Sequence, residues 1–153
     1  MNEAHFHLIV NHLPIIFPIA GLIIILCGFI FKLEVLKRMA LAIFVIASLS
    51  TIAAMSSGEG AEEIVENISG VSHDYIETHE EAAETFALAS YILGALSLIG
   101  FWANYKKKNF SGLLSVLIVV LAGVVIFLGS RTGTTGGEIR HEEIRADFIT
   151  VED

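Results

Sequence analysis

Charge interrupts this chain only at wide intervals. Four stretches carry no charged residue at all: Leu13–Phe31, Met39–Gly58, Thr85–Tyr105 and Asn109–Ser130, between nineteen and twenty-two residues each. About 20 apolar residues cross a hydrocarbon core about 30 Å thick. The pattern predicts an all-α fold, a bundle of four transmembrane helices over about 12–31, 38–57, 78–105 and 111–131. One membrane domain covers 1–153. Pro14 suits the first turn of helix 1, where a missing N–H costs little. Pro18 lies deeper and is expected to kink or unwind that turn. Gly58 suits a C-cap for helix 2.

The connection 59–78 has its own period. Ala61, Ile64, Val65 and Ile68 recur at i, i+3, i+4 and i+7, and Glu59, Glu62, Glu63 and Glu66 fill the other face. That spacing predicts a short external amphipathic helix over the end of the bundle, stopped at Ser69-Gly70. Its acidic polar face speaks against binding anionic lipid. Residues 1–11 read as a short lead, and 132–153 as a polar tail, Gly-rich and then acidic. The start lacks the basic residues and cleavage site of a secretory signal, so helix 1 reads as a retained helix.

Composition strengthens the membrane reading. The chain is 54% hydrophobic and 17% charged, against about 25% charged in soluble domains. Charge also orients it. Lys32, Lys37, Arg38, Lys106, Lys107 and Lys108 fall on one side with a single acid, Glu34. Arg131, Arg140 and Arg145 fall on the other with the remaining sixteen of the seventeen acids. The positive-inside rule places the basic loops in the cytoplasm and both termini outside. The net charge of −8 is then an external acidic surface, which argues against nucleic acid as a partner. The single Cys27 cannot form an intrachain disulfide.

On that map all six histidines, His5, His7, His12, His73, His79 and His141, share the outer side. Neutral imidazole is the commonest ligand for haem iron, copper and zinc. His12 starts helix 1 and His79 starts helix 3, at matched depth. His79 shares a helix face with Ala83, Phe86, Ala87 and Ser90. With His12 opposite, that face can hold a porphyrin edge-on with two axial imidazoles. Small residues on helices 3 and 4 serve close packing or room for a flat cofactor. Arg131, at the outer end of helix 4, suits a haem propionate, a quinone carbonyl, or an ion pair with Glu59. Met55 is a further residue at ligand depth.

Other chemistries lack their residues. There is no nucleophile elbow, His-Glu-x-x-His, phosphate loop or Cys-x-x-Cys. The Glu-x-x-His repeats of di-iron bundles are missing from the helices. No ionisable group sits mid-bilayer, as proton- or ion-coupled transport would need. Nothing identifies a stand-alone enzyme.

Three segments carry a resemblance. His7-Leu8-Ile9-Val10-Asn11-His12-Leu13-Pro14 resembles the "His-Pro-x-x-Val-His-Phe-Pro" opening of a bacterial inner-membrane family, domain of unknown function 2231. Leu8 and Leu13 depart from it, and both histidines stand. Thr132-Gly133-Thr134-Thr135-Gly136-Gly137-Glu138 resembles its closing "Thr-Gly-x-x-Gly-Gly-Glu", and Ile76-Glu77-Thr78-His79-Glu80 its helix-3 start. The resemblance implies a four-helix inner-membrane protein that binds haem b through these histidines. It makes His12 and His79 the first pair of ligands and His7 and His141 the next, and it implies no reaction.

The function expected is therefore a small b-type cytochrome-like protein. It would pass electrons near the outer face, between quinol and an external or membrane acceptor, with Arg131 on a propionate. Two alternatives stand beside it. One is copper or zinc binding through His5, His7, His12 and His141. The other is a cofactor-free accessory subunit of a larger membrane complex, and an oligomer of the chain itself is a further open alternative.

Overall fold

A computed structural model describes residues 2–67 and 71–146. The described chain is helical throughout: α1 (Glu3–Val10), α2 (Leu13–Ile30), α3 (Glu34–Ser56), α4 (Gly58–Val65), α5 (His73–Tyr105) and α6 (Ser111–Glu138), then a 3-10 turn at Glu142–Ile144. Four helical stretches are long and apolar enough to cross a membrane: Glu3–Ile30, Glu34–Val65, His73–Tyr105 and Ser111–Glu138. The all-α four-helix bundle expected from the sequence is the fold.

α2, α3, α5 and α6 form an up-down-up-down bundle, with α2 against α3 and α6, and α5 against α3 and α6. Ile25, Leu41, Phe44, Leu93, Ile118 and Val125 make its dry centre. Outward-facing side chains are equally apolar. Leu88, Leu98, Leu113, Val120 and Phe127 are each more than 60% exposed, a surface that fits lipid rather than water. Small residues let the helices approach. A Cβ on Gly21 would fall 2.5 Å from Phe44 Cε1, and one on Gly94 would strike Ser48. Thr51 and Ser90, both buried, pair across α3 and α5 at 2.8 Å. These small residues are filled by neighbouring helices, so they serve packing.

Several boundaries differ from expectation. The lead is not an irregular segment: Asn2 caps α1 by accepting from the His5 amide at 2.9 Å. The chain then turns at Asn11-His12 and re-enters the helix at Leu13, because Pro14 has no N–H to continue the ladder. α2 runs through Pro18 without unwinding. Only one carbonyl, close to the helix start, loses its donor there, and burial of the ring offsets that loss. Gly58 does not cap α3; Ser57 does, and Gly58 opens α4. The amphipathic helix is present as α4, packed on α1, with Glu3 filling the space where Gly60 has no side chain. Ile68 and the Ser69-Gly70 stop lie outside the described residues.

The largest departure is at the ends of α5 and α6. α5 begins at His73 rather than near Thr78, and α6 runs through three glycines to Glu138. Glycine in a helix costs about 1 kcal/mol relative to alanine. Contacts with α5, described next, offset that cost.

Candidate functional site: two seated histidines

α1 brings His7 to the end of α3. His7 Nδ1 lies 3.1 Å from the Ala54 carbonyl oxygen and 3.0 Å from Ser57 Oγ. Ser57 Oγ itself donates to Ala54 O at 2.9 Å. A carbonyl oxygen only accepts, and the serine proton is already used. Nδ1 must therefore carry the hydrogen and donate. His7 is then the Nδ1–H tautomer, and the lone pair is on Nε2.

α5 and α6 build a matching seat. His79 Nδ1 lies 3.1 Å from Thr135 Oγ1, and Thr135 Oγ1 donates to Thr132 O at 3.1 Å. With the Thr135 proton given to that carbonyl, Nδ1–H is the donor and Nε2 is left with its lone pair. One turn below, Thr132 Oγ1 reaches Ala82 O on α5 at 3.1 Å and ties the two helices together. Gly136 supplies the space: a Cβ there would stand 2.9 Å from His79 Cε1 and 3.2 Å from Nδ1. The glycine-rich stretch is thus the wall of the His79 seat, and its continuation as helix places Thr132, Thr135 and Gly136 along one face.

Both imidazoles are half-buried, and a charge on His7 acts on His79. Each presents the same face chemically: an anchored Nδ1–H and an Nε2 with no hydrogen-bond partner among the described residues. Metal-ligating histidines characteristically donate their second ring nitrogen to a carbonyl or similar acceptor, which fixes tautomer and orientation. Beneath His79, Phe86, Ala87 and Ser90 are buried as the shared face predicts. On the His7 face of α1, one turn on, Asn11 Oδ1 is buried and has no donor. An unpaired buried acceptor costs about 1–3 kcal/mol.

The other named residues fall elsewhere. His12 is exposed at the start of α2, caps nothing with its side chain, and makes no side-chain hydrogen bond. His5 is exposed on α1. His141 is exposed and bonds Glu143 at 3.0 Å. The Glu143 carboxyl is held below its ordinary range by its own backbone amide and by that imidazole. Arg131 is exposed at the same end of the bundle and forms no ion pair among the described residues, with Glu59 or any other acid. Met55 is half-buried in the last turn of α3.

Among the described residues one group of three or more metal-ligand side chains has its donor atoms within 4.8 Å of one another: Glu62, Glu66 and His73. It bridges α4 and the start of α5 and includes none of the histidines named above as ligands. His73 Nδ1 bonds Glu66 Oε1 at 3.0 Å. Beside it, the Glu62 carboxyl lies against the Glu80 carboxyl.

Sequence reasoning missed the seats themselves. Ser57 and Ala54 carry no signal before α1 is known to fold back on α3. Thr132, Thr135 and Gly136 did carry one, the closing motif, but placed in a tail they had no partner. The chain matches no protein-family model, no curated protein and no solved structure.

Proposed function

We propose that the protein is a b-type cytochrome-like membrane protein, with haem held by His7 and His79 at the outer face and used for electron transfer. The observation that carries this reading is the pair of imidazoles seated as the same tautomer, each with Nε2 unbonded. The number and type of donors match what haem iron takes from a protein. Haem iron would take two further ligands from the protein, and His7 and His79 would supply them as neutral imidazoles. Zinc and copper(II) ask for three or four protein ligands. No group of three among the described residues includes His5, His7, His12 or His141, which weighs against the copper or zinc alternative.

Haem would supply a one-electron couple, with the protein tuning potential through axial ligands and burial. The chain's own residues do the rest. Ser57 with Ala54, and Thr135 with Thr132, hold the imidazoles in the ligating tautomer. Gly136 keeps the His79 ring at its place beside α6. Arg131, exposed and unpaired with any acid among the described residues, would be a cation for a propionate. The likeness of the opening and closing motifs to the domain-of-unknown-function 2231 family supports the same reading, since the opening motif contributes His7 and the closing motif contributes Thr132, Thr135 and Gly136 to the two seats. Under it the chain is an inner-membrane member of that family with both termini outside.

The test is haem content. Protein expressed with ample haem and purified in mild detergent should carry about one haem b per chain by pyridine haemochrome assay. Colourless protein that also fails to take up added haemin would exclude the reading.

A further inference from the structure

At the opposite end of the bundle, we propose, lies a binding site for a phosphate group, supplied by an anionic lipid headgroup or by free phosphate. The ends of α3, α5 and α6 enclose a half-open cavity of about 280 Å³, walled by Asn104, Lys107, Lys108, Asn109, Ser111 and Gly112. Glu34 and Lys37 line it too.

The charges there do not cancel. Glu34, the one acid at this end, is already bound, to Lys37 at 2.7 Å and to the Asn104 amide. Lys107 has no carboxylate partner among the described residues. The Lys108 ammonium lies 5.5 Å from the centre of the Trp102 ring, a contact that leaves its N–H donors open. Two cations therefore face the cavity without a counter-charge.

The backbone adds to them. Lys107 is held in the left-handed region at φ 52°. Lys107 N donates to Asn104 O at 3.1 Å and Lys108 N to Ala103 O at 2.9 Å, the paired bonds of a Schellman cap. The base of each side chain is thus fixed by the helix end rather than carried on a loose loop. α6 starts against the same cavity, and Phe110 before it provides no side-chain cap. The Gly112 and Leu113 amides donate to no acceptor among the described residues. Unpaired N–H groups and the positive end of a 28-residue helix favour an anion.

Position selects the kind of anion. Trp102, Tyr105 and Phe110 are all about half or more exposed around this end. Such aromatic residues sit at headgroup level. Basic pockets between membrane helices take phosphate-bearing headgroups.

The experiment uses the full chain in detergent and native mass spectrometry with phosphatidylglycerol, phosphatidylcholine or inorganic phosphate. Wild type should retain phosphatidylglycerol over phosphatidylcholine by about thirtyfold, as two lysines near an anionic headgroup supply. The Lys107→Gln, Lys108→Gln double variant should lose that preference. So should Gly112→Leu, which fills the cavity and whose Cβ meets nothing within 4 Å, so its melting temperature should not change. Lys106→Gln, which removes a charge outside the cavity, should keep the preference. Competition by inorganic phosphate without any lipid preference would make free phosphate the source and leave the site standing. If neither probe is retained, or if Lys106→Gln costs as much as the Lys107→Gln, Lys108→Gln double variant, the site does not exist.

Discussion

At the residue scale the decisive feature is which ring nitrogen is anchored. His7 and His79 each donate Nδ1–H into a hydroxyl–carbonyl pair three residues apart on another helix, Ser57 with Ala54 and Thr135 with Thr132. His12 has no such seat. Thr135→Val removes the His79 anchor while keeping shape, so it should weaken haem retention in the purified protein without unfolding it. Gly136→Ala pushes a methyl against the imidazole. Overpacking of this kind costs about 1–3 kcal/mol, read as a lower denaturation midpoint together with loss of haem. Deeper in the bundle, Thr51→Val leaves Ser90 Oγ without its partner. Interhelical hydrogen bonds in membrane proteins average about 0.6 kcal/mol and reach about 1.7, and unfolding in mixed micelles should show a loss in that range.

At the element scale, what was legible in the sequence was the part set by hydrophobic period. The four uncharged runs mark the four bundle helices, and the Ala61, Ile64, Val65 spacing marks α4. The buried face Phe86, Ala87, Ser90 beneath His79 follows from helical spacing alone. The illegible part was set by contacts between elements distant in the chain. Glycines at 133, 136 and 137 read as a breaker cluster, because local propensity cannot see that α5 lies alongside. Likewise His7 belonged to a lead with no assigned structure until α1 packed on α4 and reached Ala54 and Ser57. Local depth favoured His12, at the mouth of helix 1, whereas the turn imposed by Pro14 leaves it exposed. A chain ended after Arg131 tests the element directly. It keeps every uncharged run but removes Thr132, Thr135 and Gly136, so it should still insert in the membrane and should bind no haem.

For the whole molecule, the up-down-up-down order places the two seated histidines at one end and the lysine-lined cavity at the other. Net charge divides the same way. Charge counts therefore predict that single cysteines at positions 2 and 140, in a Cys27→Ser background, react with an impermeant maleimide from the outside of intact cells. One at position 109 should react only after lysis. Labelling of all three from one side would contradict the four-crossing topology. The arrangement also confines any haem held by His7 and His79 to the histidine-bearing end, since no histidine lies at the basic end. Electron exchange at that face, not across the bilayer, is what such a placement allows. The most direct measurement is the reduced-minus-oxidised absorption spectrum of His7→Ala beside His12→Ala, each purified from haem-replete cells. Loss of the b-type α and Soret bands in His7→Ala with their retention in His12→Ala is the result predicted; bands kept by His7→Ala and lost by His12→Ala would contradict the pairing of His7 with His79.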